Sequence, residues 1–195
     1  MEEFLDSLEH KGFYVFDAFL SQAEAAGVLA ELKQHQSEAA FKKAGIGKQD
    51  NFQIDKKERG DFIQWIDRAT AQPATATFLS KLEDVIQTLN RNFYLGIRDY
   101  ECHYTEYPEG TFYKKHVDRH KTGSARVVSF VLYLNLDWKA TDGGQLRIYG
   151  EDESYEDILP EAGKLALFLS EKEHEVLPTR RTRNSITGWM LNESR

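Results

Sequence analysis

Cysteine is nearly absent. Cys102 is the single example in 195 residues, so no internal disulfide can form and a cysteine-rich zinc site is excluded. Basic charge is also short. Twenty-five lysines and arginines face 32 aspartates and glutamates, giving a net charge of −7, which rules out a broad basic surface for nucleic-acid phosphates. No apolar run approaches the roughly 18 residues that would cross a bilayer. The start, Met1-Glu2-Glu3-Phe4-Leu5-Asp6, lacks the basic residues and apolar stretch of a signal peptide. No internal repeat or low-complexity tract is visible. These absences lead us to expect a cytoplasmic chain with neither nucleic acid nor membrane as partner.

What is there suits a folded enzyme. Hydrophobic residues make up 41% and aromatics 12% of a 22.5 kDa chain, a globular composition with enough length for one core. We read residues 1–195 as a single domain, with helical support and a loop in 1–95 and a β core in 96–195. A short helix at about 2–10 carries Phe4, Leu5 and Leu8 on one side, and a strand follows at 12–16. Ser21-Gln22-Ala23-Glu24 is a capping-box pattern; it opens a helix to about His35 with Val28, Leu29 and Leu32 as its core stripe. Residues 44–61 are polar, charged and glycine-punctuated, which marks a loop. Residues 62–66 alternate as a strand. Past Pro73, a helix to about residue 93 places Phe78, Leu82, Val85, Ile86 and Leu89 at helical spacing. The rest reads as short strands near 97–106, 112–118, 126–134, 145–149, 155–159, 164–169, 173–176 and 183–191. Strands broken by Gly, Asp and Pro turns predict a sandwich or jelly roll.

The chemistry centres on His116-Val117-Asp118. On an extended strand, residues two apart point the same way, so His116 and Asp118 can converge on one ion while Val117 faces away. A third ligand must come from another strand, and His174 is the best placed. Two histidines and one carboxylate leave an open face and point to non-haem Fe(II). Nine residues further on, Arg183 could hold a carboxylate with two charge-assisted hydrogen bonds. By parity, Val127, Ser129, Val131 and Tyr133 share one face of their strand, while Arg183, Ser185, Thr187 and Trp189 share one face of the last. Arg126 falls on the opposite side, toward substrate or solvent. Thr187 is a candidate partner for a bound small molecule or water. His120 is read as a loop histidine near the entrance; His10, His35 and His103 carry no comparable pattern. Cys102 reads as a small buried residue rather than a nucleophile.

The ordered set resembles the Fe(II)- and 2-oxoglutarate-dependent dioxygenases. The similarity runs from Arg59-Gly60-Asp61 to Ile66, through Tyr107-Pro108, His116-Val117-Asp118, Val131 to Asn135 and Gly143 to Arg147. It ends with His174 to Pro178 and Arg183 to Trp189. It is strongest to the prolyl-hydroxylase branch, which includes oxygen-sensing hydroxylases and bacterial relatives. The resemblance implies a mainly β, double-stranded β-helix (cupin-like jelly-roll) core with N-terminal helices packed on one sheet. It implies Fe(II) held by His116, Asp118 and His174, with 2-oxoglutarate and O2 as co-substrates and ascorbate as an accessory. It further implies that Arg183 and Tyr133 bind the distal carboxylate, with Tyr107 and Thr187 lining the site; Tyr104 competes with Tyr107, because one residue is missing from the turn before His116. Residues 44–61 correspond to a finger loop over the substrate. The implied reaction hydroxylates a prolyl residue of a protein and releases succinate and carbon dioxide. Bacterial members suggest elongation factor Tu or another translation component as partner; in an animal, a hypoxia-factor-like protein is the expectation. The same chemistry on a free amino acid, a cupin-like metal-binding interaction module and a hydrolytic zinc site are the alternatives.

Overall fold

Three long strands alternate between two environments, and that alternation sets the layering. In the computed structural model, which describes residues 2–37, 41–43, 58–119, 124–150, 152 and 154–193, they are β4 (Asp99–Tyr107), β6 (Arg126–Tyr133) and β11 (Arg183–Leu191). The order along the chain is α1 (Glu2–Lys11), β1 (Phe13–Phe16), α2 (Gln22–Ser37), β2 (Lys42–Lys43), β3 (Phe62–Trp65), α3 (Pro73–Phe93) and β4. Then follow β5 (Tyr113–His116), β6, β7 (Leu146–Tyr149), β8 (Tyr155–Ile158), β9 (Leu165–Leu169), β10 (His174–Val176) and β11. A seven-stranded sheet has the order β1-β9-β6-β11-β4-β3-β2, and a four-stranded sheet has β5-β10-β7-β8. Every strand pair is antiparallel. The expected strands are present, several shortened by a residue or more at their ends.

One face of the larger sheet carries Cys102 and Tyr104 from β4, Phe130 and Leu132 from β6, and Ile186 and Met190 from β11. These pack against Phe4, Val28, Leu32, Phe78, Leu82 and Leu89 of the three helices. The other face carries Tyr107, Val131 and Tyr133, which meet Leu146, Ile148 and Val176 of the smaller sheet. Strands β1 and β3, from the first half of the chain, extend the larger sheet on either side of its centre. The N-terminal half therefore adds strands as well as the helical layer.

The helices are tied down by side chains. The Ser21–Glu24 capping box forms, with the Ser21 N–H donating to Glu24 Oε2 at 2.8 Å and the Glu24 N–H donating to Ser21 Oγ at 3.2 Å. Lys81 and Ser21 beside it pull the Glu24 carboxyl down to about 2. Glu31 of α2 reaches across to α3 and accepts from the Ala74 and Thr75 amides at 2.7 and 2.8 Å. It thus satisfies free donors at that helix start from a neighbouring element.

Strand β11 lies between β4 and β6, and Gly188 pairs with Cys102 on one side and Phe130 on the other. A Cβ there would sit nearer than 3.0 Å to the Phe130 ring, the Glu101 carbonyl and the Cys102 Cβ. Gly188→Ala should therefore destabilise the fold by about 1–3 kcal/mol through overpacking. That corresponds to a fall of roughly 2–12 °C in melting temperature. An unchanged midpoint in a thermal melt would show that the strands can part to admit a methyl group.

Candidate active site

The three predicted ligands converge. His116 ends β5, His174 opens β10, and the two are direct register partners. Nε2 of His116 lies 3.6 Å from Asp118 Oδ1, and Nε2 of His174 lies 3.6 Å from Asp118 Oδ2. One ligand atom from each lies within 4.8 Å of the others. The strand carrying His116 stops earlier than predicted, so Asp118 does not face the site through strand alternation. Instead the chain bends, and the amides of Asp118 and Arg119 both donate to the Ser170 carbonyl, at 3.0 and 2.8 Å. That double hydrogen bond turns the carboxylate inward.

The supporting contacts fix the chemistry of each ligand. Nδ1 of His116 lies 2.7 Å from the Lys114 carbonyl, and Nδ1 of His174 lies 2.9 Å from the Lys172 carbonyl. A carbonyl oxygen can only accept, so each Nδ1 carries a proton, and Nε2 is the atom each ring turns toward Asp118. Burial pushes His174 down to about 4, only partly opposed by Asp118, so its ring is neutral near pH 7. Burial opposes the Asp118 charge, but His174, His116 and a hydrogen bond from Ser129 hold the carboxyl well below its usual range. Ser129 Oγ donates to Oδ2 at 2.7 Å and lies 2.9 Å from Ser170 Oγ. Tyr113 stacks on the His116 ring with centroids 3.7 Å apart. On its other side the Arg59 guanidinium lies 4.2 Å from the ring centre, clamped to buried Asp61 by two hydrogen bonds.

Arg183 is the second centre. It is 1% exposed, and its guanidinium carbon lies 5.1 Å from the ring centres of both Tyr107 and Tyr133. Nε donates to the Gly144 carbonyl at 2.9 Å. Gly144 has φ 68°, and a Cβ there would come within 3.1 Å of Arg183 Cδ, so glycine is required beside the arginine. Tyr133 Oη and Ser185 Oγ are buried with no hydrogen-bond partner among the described residues. Burial raises the Tyr133 hydroxyl to about 12, with Arg183 opposing, so it is a neutral donor. A buried cation ringed by orphaned hydroxyls suits a small carboxylate.

The sheet register separates the two tyrosine candidates. Tyr107 faces Arg183, its register partner on β11, while Tyr104 turns to the helices and pairs its hydroxyl with Thr75 at 2.7 Å. Thr187 is partly exposed on the same stripe as Arg183 and Ser185.

Two readings of β6 need correction. The register shifts between Met190 and Leu191, where β11 meets the start of β6. This bulge reverses the alternation there. Val127 accordingly joins the helix-side cluster. Arg126 swings to the site side, 3.5 Å from the Trp189 ring centre and 3.0 Å from Glu101. Sequence reasoning also left Ser129, Ser170, Ser185 and Tyr113 without roles; parity placed two of these serines on the inner face but could not name their partners. His120 and residues 44–57 of the expected finger loop lie outside the described residues.

A family model described as the 2OG-Fe(II) oxygenase superfamily matches residues 102–191, the segment holding His116, Asp118, His174 and Arg183. The structure also superposes on a prolyl-4-hydroxylase from Pseudomonas putida with a TM-score of 0.88 and 37% identity, covering 98% of both chains. The chain belongs to the 2OG-Fe(II) oxygenase superfamily. The oxygenase fold, a double-stranded β-helix, is thus the one observed. A Trichoplax adhaerens prolyl hydroxylase, solved with a hypoxia-inducible-factor peptide fragment, has a TM-score of 0.87 at 27% identity over 98% of this chain and 88% of that one. The hypoxia-inducible factor prolyl hydroxylase of Caenorhabditis elegans is 32% identical over 99% of this chain, but the chain spans only 28% of that protein's length. It spans 46–59% of the length of the Egl nine homolog 1 proteins of rat, mouse and human, to which it is 30–31% identical. The residues present fit the two groups in the family's name. Two imidazole lone pairs and a carboxylate suit Fe(II), and the orphaned hydroxyls around Arg183 suit the far carboxylate of 2-oxoglutarate.

Proposed function

We propose that this chain is a prolyl hydroxylase acting on a protein. It would consume 2-oxoglutarate and O2 and leave hydroxyproline, succinate and carbon dioxide. The observation that carries the reading is the pairing of the His116–Asp118–His174 cluster with the buried Arg183. A hydrolytic zinc site would leave that arginine unexplained. The substrate class is supported by the likeness to the Pseudomonas putida prolyl-4-hydroxylase over nearly all of both chains.

In this reading the residues divide the work. His116, His174 and Asp118 hold Fe(II), with their geometry set by Lys114, Lys172 and Ser129. Bound Fe(II) supplies the activation of oxygen that no side chain here can perform. Arg183, Tyr133 and Ser185 hold the distal carboxylate of 2-oxoglutarate, with Tyr107 as a wall and Thr187 as a further donor. Val131, Phe168 and Ile148 exclude water between the sheets. Arg126, partly exposed beside the Trp189 ring, would be the group a polypeptide meets. We take residues 1–195 as one catalytic unit. Among the described residues no helix is long and apolar enough to cross a membrane.

The test is to incubate the Fe(II)-loaded protein with 2-oxoglutarate and host-cell proteins and to map oxygen incorporation by mass spectrometry. A prolyl residue gaining one oxygen supports the reading; elongation factor Tu, another translation component or a hypoxia-factor-like protein would then be told apart by the modified peptide. Oxygen appearing only in a free amino acid or other metabolite would reject the protein substrate. Absence of any substrate-dependent succinate would favour a cupin-like binding module.

A further inference from the structure

His103 has no part in the site described so far, yet it is 2% exposed and lies on the site-side face of β4. Its Nδ1 lies 2.9 Å from Thr105 Oγ1 and 3.3 Å from the Tyr104 carbonyl. Thr105 Oγ1 in turn lies 3.3 Å from Thr187 Oγ1. Thr187 stands directly opposite His103 in the β4–β11 register, two residues from Ser185 and four from Arg183. The three side chains thus form a continuous hydrogen-bonded line from a buried imidazole to the co-substrate pocket.

The direction of that line follows from one contact. A neutral imidazole has one N–H, and burial pushes His103 down to about 4, with Asp61 opposing, so the ring is neutral near pH 7. The Tyr104 carbonyl beside Nδ1 is an acceptor only. A lone pair on Nδ1 would face it repulsively, whereas an N–H there is attracted to both neighbouring oxygens. Thr105 then accepts from His103 and donates to Thr187. The Thr187 oxygen is engaged as an acceptor, and its own hydrogen, which has no acceptor among the described residues, is left for the pocket.

We propose that His103, through Thr105, is a positioning residue that fixes Thr187 as a hydrogen-bond donor toward a bound oxyanion. The opposite tautomer would reverse every bond in the line and turn a Thr187 lone pair on the same ligand. With the proton on Nδ1, Arg183, Tyr133, Ser185 and Thr187 all present donors along one wall, which matches a dicarboxylate. The inference rests on the reading of this pocket as the 2-oxoglutarate site. A merely structural role for His103, packed 5.1 Å from Trp65 and 5.5 Å from Trp189 between ring centres, requires neither tautomer.

The test uses the chain loaded with Zn(II), which is diamagnetic and does not turn over. In 15N NMR of the histidine-labelled protein with 2-oxoglutarate, the signal lost in His103→Phe should show Nδ1 protonated and Nε2 bare. Calorimetry on the same complex should show Thr105→Val weakening 2-oxoglutarate binding by about two- to twelvefold, the scale of one neutral hydrogen bond. Thr105→Ser should restore it. Thr105→Val added to Thr187→Val should cost nothing further, because the line acts through one hydroxyl. An Nε2-protonated His103, a Thr105→Val protein binding as tightly as the parent, or losses that add in the double variant would each overturn the proposal. If the parent protein itself fails to bind 2-oxoglutarate, the pocket assignment fails instead.

Discussion

Asp118→Ala should lose metal binding and, with it, all succinate formation. The carboxylate is the single anionic member of the cluster, and it lies between the Nε2 atoms of His116 and His174. Its removal leaves two imidazoles and a serine, Ser129, whose hydroxyl has lost its charged acceptor. Changing a partner that only supports a metal ligand typically costs about 10- to 100-fold in affinity, so loss of a ligand should exceed that range. Iron content after anaerobic loading, and the midpoint of a Co(II) titration, report the effect without turnover. Circular dichroism checks that the protein is folded. A variant with parental iron content and parental turnover would mean that the metal is held elsewhere. His174→Ala should behave in the same way.

Arg183→Ala should fail at a different step, with metal still bound but 2-oxoglutarate held weakly. The guanidinium is buried between two tyrosine rings and positioned by the Gly144 carbonyl. A hydrogen bond to a charged group is worth roughly 1.5–3 kcal/mol, which translates to about a ten- to more than hundredfold rise in the dissociation constant. Arg183→Lys should fall between, since one ammonium cannot reproduce the planar two-pronged contact. Calorimetry with the Mn(II)-loaded protein measures both. The other nearby cations are poor substitutes: Arg181 is exposed and engaged with Asp142 at 2.9 Å, and Arg180 is exposed. Unchanged affinity in Arg183→Ala would nevertheless redirect the assignment to them.

Much of this architecture could be read from local pattern, for a physical reason. Strands β4, β6 and β11 separate a helix-packed face from a site face, so their side chains alternate in the sequence as they do in space. The helix stripes of α2 and α3 are visible because one side of each is buried. What sequence could not supply came from contacts between distant segments. The β6 bulge exists only because β11 meets it out of step, so simple alternation puts Val127 and Arg126 on the wrong faces. Asp118 was expected to point inward by strand alternation, but a bend on the Ser170 carbonyl does that work. The choice between Tyr104 and Tyr107 depended on register against Arg183. Lys42 and Lys43 carry no strand signal and pair only because β3 offers an edge.

The division of the site between the two sheets bears on how the protein responds to its ligands. The smaller sheet supplies His116 and His174, with Asp118 just beyond β5; the larger supplies Arg183, Tyr133 and Tyr107. In the proposed function, 2-oxoglutarate would span the two layers, its far carboxylate on Arg183 and its other end toward the His116–Asp118–His174 cluster. It then acts as a rivet through the sandwich. Neither sheet alone can form the complete site, so any opening that separates the layers releases the co-substrate. By linkage, occupancy must resist that opening. Protection of backbone amides from hydrogen exchange should therefore spread from the ligand into the short strands β5, β7 and β10, making the smaller layer a gauge of co-substrate supply.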